Sequence, residues 1–406
     1  MHKVLIVGGG AAGMMAAYTA AAKGNQVTLV EKNEKLGKKI YITGKGRCNL
    51  TANVDAQEFL NNVVTNRKFL YGAIYTLSPS DLMSIFERNG LTLKTERGNR
   101  VFPNSDKASD VTKTLEKLLI QYNVDVKLNC EATEIIVSND KVTAVKTQHG
   151  LIECDSCVVC CGGISYPTTG SNGDGYKFAK QHGHSIVAPV SALVGIELSG
   201  NEFVSLQGVS LKNVSLTAKV GQKVVYSDFG EMLFTHYGVS GPIVLSCSSV
   251  INRKNLTEIT LSIDLKPALD ELTLDKRLQR EFKENNVKSL SSVMRSLLPK
   301  ALIEIVLRQS GVSAHKNCSE ITVEERALII KTLKNLTFIV KRLRPIDEAI
   351  ITSGGVSVKE VNPKTMESKL VNGLFFAGEV LDVDALTGGY NLQIAWSTGF
   401  VAGNNA

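Results

Sequence analysis

The sequence predicts an α/β fold in which three kinds of segment follow one another along the chain. The segment His2–Lys32 combines an apolar run, a glycine-rich turn, a helix and a second apolar run, which is the pattern of a buried parallel βαβ unit. From Ser191 to about Leu265 apolar and polar residues alternate, which predicts an antiparallel sheet or barrel. From Leu272 to Leu336 the period becomes helical, and strands return after it.

The opening βαβ unit is predicted from its local sequence. His2–Val7 is a short β-branched apolar run, and Gln26–Val30 is a second one. Between them, Met14–Lys23 is rich in small residues and predicts a helix. Gly24 follows that helix in the position of a left-handed cap. These elements predict the start of a parallel sheet.

The glycines between the first strand and the first helix predict phosphate binding. Gly8 allows a tight turn, Gly10 lets a pyrophosphate approach the backbone, and Gly13 lets helix and strand pack closely. The helix N-terminus offers N–H groups and the positive end of its dipole. Glu31 ends the second strand, where its carboxylate can accept hydrogen bonds from a ribose diol. Because the turn follows a strand and opens a helix, the motif predicts a dinucleotide site.

A second glycine-rich, basic loop follows at Thr43–Thr51. Gly44 and Gly46 would let the backbone lie close to a flat or anionic ligand. Lys45 and Arg47 can neutralise phosphate, and the Arg47 guanidinium can also bind it with two parallel hydrogen bonds. We therefore expect this loop to continue the site that the opening turn begins.

Composition describes an ordinary globular protein. The 406 residues allow two or three domains, and hydrophobic residues make up 43% and charged residues 21% of the chain. The net charge of +7 is mild and is compatible with anionic substrates or RNA without predicting them. No apolar run is long enough to span a bilayer and no cleavable signal is recognisable, so we expect a cytoplasmic protein without membrane contact.

The following elements alternate between helix and strand up to Pro189. The predictions in chain order are helices over 55–90 with Ser78 as N-cap and Pro79 at the first helical position, a loop at Arg97–Asp106, a helix at Lys107–Tyr122, a strand at Val124–Leu128, a hairpin at Glu131–Val137 and Lys141–Thr147, a strand at Ser156–Cys161 and a helix at Tyr176–His182. The loop from Gly162 to Tyr176 is rich in glycine and hydroxyl side chains, which predicts an ordered loop against a ligand.

Past Pro189 the chain changes character. Val214, Leu216, Ala218 and Val220 fall on one strand face, and Gly221 begins a turn. In the helical stretch that follows, Thr322 and Glu325 form a capping box. The basic residues of its first helix predict a solvated face, with RNA contact as the alternative; they are Lys276, Arg277, Arg280 and Lys283. A strand at Phe338–Lys341, followed by the stretch Thr352–Val356, then a strand at Gly373–Ala377, a loop at Val380–Tyr390 and a closing helix from Asn391 end the chain.

The eight cysteines do not predict a metal site. Cys154, Cys157 and Cys160 have spacings seen in redox and metal motifs. They stand on or beside a predicted buried strand, where residues three apart point to opposite faces and cannot converge on one ion. We interpret them as small core residues.

Taken together, these motifs resemble the BaiN-like, aminoacetone-oxidase-like family of FAD-binding flavoproteins, within the two-dinucleotide-binding-domain superfamily of glutathione-reductase-type enzymes. The marks are Gly8–Gly13 with Glu31-Lys32, Gly44–Thr51, Gly162-Gly163 with Ser165-Tyr166-Pro167, Thr235–Gly238 with Ser240-Gly241-Pro242, Thr352–Val356 and Phe376–Gln393. The resemblance implies a Rossmann-like FAD-binding domain from both chain ends (1–190 and 345–406), an inserted β domain (191–268 and 337–344) and a helical insert (269–336).

The resemblance also implies the cofactor contacts. The residues it assigns to FAD are Gly8, Gly10, Ala12, Gly13, Glu31, Lys32, Gly44, Arg47, Cys48, Asn49, Ala132, Gly162, Gly163, Gly378, Glu379, Asp382, Gly389, Asn391, Leu392 and Gln393. Among them Ala132 would meet adenine through its backbone and Glu379 would bind the ribityl chain. The start of the last helix would face the pyrimidine edge of the isoalloxazine and stabilise its anionic reduced form.

The expected function is an FAD-dependent oxidoreductase that moves a hydride between flavin N5 and a small organic substrate, with NADH or NADPH as transient reductant. The catalytic candidates are His236, which can titrate near neutral pH, and more weakly Tyr237 and Cys48. The alternatives are reduction of a C=C bond in an RNA uracil or a steroid-type enone, amine oxidation with O2, and a flavin-bearing RNA-binding or assembly factor without turnover. The oligomeric state is not predicted.

Overall fold

The computed structural model describes all residues, Met1–Ala406, and divides them into two compact units. The first unit is Met1–Ala192 with Ile346–Ala406, and the second is Leu193–Pro345. Each unit has its own hydrophobic core. The separation of the helical insert from the β domain stays a prediction. None of the helices combines the length and the apolar character that a membrane span requires.

The first unit opens on the predicted βαβ pattern. Its elements before the second unit are β1 (Lys3–Val7), α1 (Ala11–Ala22), β2 (Gln26–Val30), α2 (Lys38–Ile42), β3 (Thr51–Ala52), α3 (Ala56–Asn61), β4 (Val63–Thr65), α4 (Arg67–Thr76), α5 (Pro79–Arg88), β5 (Leu93–Glu96), β6 (Arg100–Pro103), α6 (Ala108–Gln121), β7 (Asp125–Lys127), β8 (Ala132–Ser138), β9 (Lys141–Thr147), β10 (Gly150–Glu153), β11 (Ser156–Val159), α7 (Asp174–Gln181) and β12 (Ile186–Ala192).

The second unit is a closed barrel of six antiparallel strands with helices attached. Its elements are β13 (Ile196–Leu198), β14 (Ser210–Val220), β15 (Lys223–Phe234), β16 (Gly238–Ser240), α8 (Pro242–Ile251), β17 (Ile259–Asp264), α9 (Glu271–Glu284), α10 (Leu290–Val293), α11 (Lys300–Ser310), α12 (Val323–Lys334) and β18 (Leu336–Leu343). The strand order around the barrel is β13-β16-β15-β14-β17-β18.

The chain then returns to the first unit and completes its parallel sheet. The returning elements are β19 (Ile351–Val356), β20 (Leu374–Phe376), β21 (Asp384–Ala385) and α13 (Tyr390–Asn405). The five-stranded sheet has the order β20-β11-β1-β2-β7, and all of its neighbouring strands are parallel. The α/β class, the sheet built from both chain ends and the inserted barrel are confirmed.

Helix α13 packs on α1 through backbone contact. A Cβ at Gly399 would overlap the carbonyl oxygen of Ala12, and one at Gly403 would overlap that of Ala16. Residue numbers therefore rise together along the two helices, which makes them parallel. The absence of a side chain at both glycines lets the helix axes approach more closely than larger residues would allow.

Local sequence signals set several boundaries. The Ser78 hydroxyl caps α5 in a capping box with Asp81, and Thr322 caps α12 in one with Glu325, so both predicted starts are confirmed. The predicted hairpin is confirmed as β8 and β9, and β10 extends it.

Three segments differ from their predictions. Val63–Thr65, within the stretch 55–90 predicted as helices, forms the strand β4, which pairs with β21. The predicted loop Arg97–Asp106 contains the strand β6, because pairing with both β3 and β5 stabilises it and buries Val101 and Phe102. Within the segment predicted as alternating strands, Pro242–Ile251 forms α8. Pro242 occupies the first helical position after Gly241. Most residues of this helix are buried, so its sequence shows neither a helical period nor a true strand alternation.

Candidate functional site

The turn between β1 and α1 places each of its glycines in a different environment. Gly8 has a φ of +103°, and its N–H donates to the Val30 carbonyl oxygen at 2.9 Å. A Cβ at Gly13 would overlap the Gly8 carbonyl oxygen, so this position can hold no side chain. A Cβ at Gly10 would meet nothing within 4 Å. The open space over Gly10 is where a ligand could reach the backbone.

The start of α1 presents N–H groups to that space. The first helical hydrogen bond runs from the Met14 N–H to the Gly10 carbonyl oxygen, at 3.0 Å. The N–H groups of Ala11, Ala12 and Gly13 precede it and have no acceptor within the helix. Unpaired N–H groups and the positive end of the helix dipole favour an anion such as pyrophosphate.

Glu31 lies at the C-terminal end of β2, directly beside the glycine turn. It is only 8% exposed. Its Oε2 accepts from the Gly9 N–H at 2.7 Å, and its Oε1 accepts from the backbone and side-chain amides of Asn33 at 2.8 and 2.6 Å. A carboxylate has about four acceptor positions, so Oε2 retains capacity for a ribose hydroxyl. The ammonium of the neighbouring Lys32 forms an ion pair with Asp174 at 2.7 Å.

The second glycine-rich loop corrects one expectation. Arg47 does not present a free guanidinium to phosphate: it pairs with Glu96 at 2.8 Å and Asp106 at 3.1 Å and lies 4.0 Å above the Phe102 ring. Both carboxylates come from the chain around β5 and β6, far along the sequence. Arg47 therefore holds the loop onto that strand pair, and binding a phosphate would require an exchange of partners.

The remaining loop residues are held tightly. Gly44 has a positive φ, and a Cβ there would lie 2.8 Å from the Asn49 nitrogen. The Asn49 Oδ1 is buried and accepts no hydrogen bond from the chain. Cys48 has a φ of +62° and is 0% exposed, and burial raises the pKa of its thiol to about 12. A neutral, fully enclosed thiol does not reach a substrate, so the structure gives no support to Cys48 as proton donor.

Glu379 joins three segments that the sequence separates widely. Its carboxylate accepts from the Ser165 hydroxyl at 3.0 Å, the Thr352 N–H at 2.8 Å and the Lys39 ammonium at 2.7 Å. The Thr352 hydroxyl in turn accepts the N–H groups of Ile164 and Ser165 at 2.9 and 3.0 Å. The loops after β11 and β20 are thereby fixed to one another around a carboxylate predicted to bind the ribityl chain.

Three predicted glycines belong to these two loops. A Cβ at Gly163 would overlap the Thr352 side chain, and one at Gly378 would lie 2.8 Å from the Ala12 Cβ. Gly162 has a φ of +72° beside Ser171. Gly378 therefore lets the loop after β20 approach the start of α1, and Gly163 lets the loop after β11 approach Thr352 in β19.

Lys39 contacts the predicted FAD ligand Glu379, and sequence reasoning missed it. We expect Lys39→Met to weaken FAD binding about tenfold, equivalent to ~1.4 kcal/mol, because Glu379 loses the charge-assisted bond that orients it. Lys38 pairs with the exposed Glu34 but also donates to the Asn33 side chain at 3.2 Å, next to Glu31, so an exposed lysine of α6, Lys117, serves as control. Titration of each apoprotein with FAD, followed by flavin fluorescence, checks this; equal affinities of the Lys39→Met and Lys117→Met variants would contradict it.

The start of α13 forms the other end of the site. The first helical bond runs from the Gln393 N–H to the Gly389 carbonyl oxygen at 3.1 Å, which leaves the N–H groups of Tyr390, Asn391 and Leu392 without acceptors in the helix. The Asn391 side chain bonds both backbone groups of Ala385 at 3.0 and 2.8 Å. The three backbone N–H groups are therefore available to the edge of a flavin ring, whereas the side-chain amide of Asn391 is not.

The Gln393 and Asp382 side chains are also engaged by the protein. The buried Gln393 amide accepts from the Thr51 hydroxyl at 2.6 Å and donates to the Leu77 carbonyl oxygen at 3.0 Å. The Asp382 Oδ2 accepts from the Asn66 amide at 2.9 Å. Both side chains therefore hold the loop and the helix start in place. Ala132 is a buried residue at the start of β8.

The two helix starts point the same way at a fixed offset. Gly399 of α13 lies level with Ala12 of α1 in this parallel pair. At 1.5 Å per residue, the first residue of α13 therefore lies about 12 Å from the first residue of α1, measured along the common helix direction. A ribityl chain with its phosphate link, extended, spans a distance of this order. The residues present thus fit an extended FAD, whose pyrophosphate would be held at the start of α1 and whose flavin ring would be held at the start of α13.

The cysteines beside this site lie in the core. Cys157 and Cys160 are buried, and burial holds the pKa of both thiols well above the usual range. All eight cysteines are free, and no three histidine, cysteine, aspartate or glutamate side chains stand close enough to hold a metal ion.

In the second unit, the predicted catalytic loop is clamped between a glycine and an arginine. His236 is exposed, and its ring lies edge-on to that of Tyr237 with centroids 5.0 Å apart. The Arg344 guanidinium stands 4.7 Å from the centre of the Tyr237 ring, and a Cβ at Gly195 would lie 2.5 Å from the tyrosine oxygen. The buried Glu197 holds Arg344 at 2.8 Å. The sequence analysis did not predict that Gly195, Glu197 and Arg344 support this loop.

Glu197 should make the stability of the second unit depend on pH. Burial raises the pKa of this carboxyl, but hydrogen bonds from Arg342 and Arg344 outweigh it and leave the pKa below its usual range. The ionised form therefore stabilises the fold at neutral pH, and this is lost as acid carries the pH through the lowered pKa.

We expect Glu197→Gln to lower the free energy of unfolding at neutral pH by about 1–2 kcal/mol, less than for a fully buried pair because Arg342 is largely exposed. The variant should also lose less stability on acidification than the parent. Urea unfolding across the acid range checks both, with the exposed Glu202→Gln as control. Parallel pH profiles of parent and Glu197→Gln would contradict the assignment.

The family model and the curated relatives show a flavin-dependent oxidoreductase with a dinucleotide-binding Rossmann domain. The chain belongs to the HI0933-like family, since the model of the HI0933-like protein Rossmann domain matches residues 2–405. The family resemblance stated from the sequence is thereby confirmed.

Curated relatives cover nearly the whole chain. It is 32% identical to a 3-dehydro-bile acid delta(4,6)-reductase of Clostridium scindens, over 100% of this chain and 99% of the relative. It is 31% identical to the ribosomal RNA dihydrouridine synthase of Escherichia coli, over 97% and 95%. The enzyme of the same description from Haemophilus influenzae is 30% identical, over 98% and 96%.

Solved structures show the same fold at lower identity. A 3-ketosteroid-delta4-(5alpha)-dehydrogenase from Rhodococcus jostii matches 100% of this chain and 96% of its own with a TM-score of 0.54 and 14% identity. A flavocytochrome c3 fumarate reductase matches 100% and 78% with a TM-score of 0.51 and 18% identity.

Proposed function

We propose that this chain reduces a carbon–carbon double bond conjugated to a carbonyl group. The observation that carries this proposal is that three full-length relatives, at 30–32% identity, are described as a Δ4,6-reductase of a 3-dehydro-bile acid and as rRNA dihydrouridine synthases. The 5,6 double bond of uracil is conjugated to its C4 carbonyl, and a 3-oxo-Δ4,6 system is likewise conjugated. One chemistry therefore accounts for both kinds of substrate.

The cofactor would be FAD, held at the two helix starts and at Glu31, and it would supply a hydride to the carbon β to the carbonyl. The chain's own residues would supply the rest. The N–H groups at the start of α13 would stabilise negative charge on the ring edge that they face.

The proton that the α-carbon takes up would come from the Thr235–Tyr237 loop. His236 is the first candidate because its ring is exposed, and the clamp of Tyr237 by Arg344 and Gly195 fixes the loop that carries it. The hydride and this proton together complete the reduction of the double bond. NADH or NADPH would reduce the flavin between turnovers.

Between the two substrate classes, charge favours the uracil of an RNA. Leu193–Pro345 contains 21 of the 46 lysines and arginines but only 15 of the 39 aspartates and glutamates. Almost all of the net charge of +7 is therefore carried by the second unit. A polyanion benefits from such an excess more than a bile acid with its single carboxylate does.

Anaerobic reoxidation of the reduced holoprotein tests the proposal. We expect a uridine-containing RNA or a 3-oxo-Δ4,6 steroid to reoxidise the flavin, and the dihydrouridine or saturated counterpart to leave it reduced. Separate mixing of the oxidised protein with NADH, NADPH and small amines identifies the reductant. Reduction by an amine, together with reoxidation by O2 alone, would contradict the proposal and favour the amine oxidase predicted as an alternative from the sequence.

His236→Gln tests the proton donor in the same assay. We expect reduction by the nicotinamide to be unchanged and reoxidation by substrate to slow, because hydride transfer to the double bond then lacks its acid. If reoxidation keeps its rate and its pH dependence, the proton comes from another group.

A further inference from the structure

The outer face of α4 carries two exposed tyrosines side by side. Tyr71 is 39% and Tyr75 58% exposed, and their rings lie 6.3 Å apart between centroids with 19° between their planes. The opposite face of the helix is buried and anchors it; its members are Phe69, Leu70, Ala73 and Ile74. Packing of the fold therefore does not account for the two aromatic rings.

Cations frame the tyrosine pair. Lys68, Tyr71 and Tyr75 stand at helical spacings that form one stripe. Arg67 lies next to it, and the loop at Pro363 touches the same helix, since its carbonyl oxygen would lie 3.2 Å from a Cβ at Gly72.

That loop continues into the exposed Lys364. Helix α4 contains no acidic residue, and no carboxylate pairs with Arg67, Lys68 or Lys364 within 4.0 Å. We call Arg67, Lys68, Tyr71, Tyr75 and Lys364 the α4 platform.

The platform begins beside the segment that precedes α13. Asn66, which caps α4, donates from its side chain to the Asp382 carbonyl oxygen at 2.7 Å and to its carboxylate at 2.9 Å. Strand β4, just before α4, pairs with β21. With 1.5 Å per residue, Tyr71 and Tyr75 lie about 8 and 14 Å along the helix from Asn66, which is within the reach of a few nucleotides.

We propose that the α4 platform binds single-stranded RNA next to the nucleotide being reduced, an inference that rests on the proposed function. Exposed tyrosine rings accept stacked bases without regard to sequence, and neighbouring cations neutralise the phosphates between them. A bile-acid enone has a single carboxylate, so it could pair with at most one or two of Arg67, Lys68 and Lys364, whereas a strand offers a phosphate to each. The platform thus fits a flexible strand whose target base enters the flavin end while its neighbours stack outside.

Binding of a fluorescein-labelled oligouridine to the holoenzyme, without turnover, tests the platform. We expect Tyr71→Ala and Tyr75→Ala each to weaken binding at least about fivefold, the lower bound for a base stacked on an aromatic side chain. Phenylalanine at either position should retain the affinity, since the ring is kept. Lys68→Gln should reduce the slope of log affinity against log salt by about 0.7, the value for one phosphate contact on a single strand.

Matched controls come from an exposed face of α6. Ile120→Ala and Lys117→Gln remove a comparable apolar group and a comparable cation from another helix of the same unit, and both should bind like the parent. Affinity lost with alanine and kept with phenylalanine supports the platform whether or not uracil reoxidises the flavin. Equal affinity of the parent and the tyrosine-to-alanine variants overturns it, even if the reductase activity is found.

Discussion

Gly10→Val is expected to abolish FAD binding while leaving the protein folded. A Cβ at Gly10 would meet no atom within 4 Å, and its φ of −80° suits any residue, so a β-carbon is accommodated without a clash. It would fill the space over the start of α1 and keep a pyrophosphate from the helix N–H groups. Losing two charge-assisted hydrogen bonds at about 1.5–3 kcal/mol each corresponds to at least a hundredfold loss of affinity.

The cost to the fold should be small by comparison. Gly10 is the N-cap of α1, and valine is less favourable there than glycine by up to about 1 kcal/mol. Flavin fluorescence titration of the apoprotein measures the first effect, and thermal unfolding of the apoprotein the second. A Gly10→Val protein that binds FAD like the parent would show that the phosphate lies elsewhere.

Gly13→Val provides the contrast. Its Cβ would overlap the Gly8 carbonyl oxygen, so the strand–helix junction would have to open. This variant should lose both stability and cofactor, whereas Gly10→Val loses cofactor alone. The pair therefore separates a ligand-binding glycine from a packing glycine in one turn.

Gly399→Leu is expected to destabilise the first unit by about 3 kcal/mol or more, the upper end for overpacking of a core. The new Cβ would overlap the carbonyl oxygen of Ala12, which is backbone and cannot rotate away. Helix α1 cannot retreat either, because Gly13 already packs on Gly8. Any folded fraction should bind FAD more weakly, since Ala12 lies in the first turn of α1, which is predicted to hold the pyrophosphate.

Urea denaturation of the parent and the variant measures this loss. Asn405→Leu serves as control, because it adds the same side chain to an exposed position of the same helix. An unfolding free energy of Gly399→Leu within about 1 kcal/mol of the parent would mean that α1 and α13 adapt to one another far more easily than close packing allows.

Sequence patterns predicted the helices and strands that depend on residues close together in the chain. The apolar run of β1, the small residues of α1, the capping boxes at Ser78 and Thr322 and the β8–β9 hairpin depend on neighbours a few residues apart, and each is present. Strand β6 and helix α8 were mispredicted. Pairing with two other strands creates β6, and burial all around masks the period of α8.

The sequence by itself determined the chemical class of the site. A glycine turn between strand and helix, an acid after the second strand and a second glycine loop have spacings dictated by backbone sterics and phosphate charge, so they carry their function within a few residues. Only the tertiary structure decided the long-range partners: Glu96 and Asp106 hold Arg47, Lys39 holds Glu379, and α13 lies parallel to α1. Ion pairs and helix contacts form between residues that folding brings together, and no local pattern records which carboxylate a distant lysine or arginine will meet.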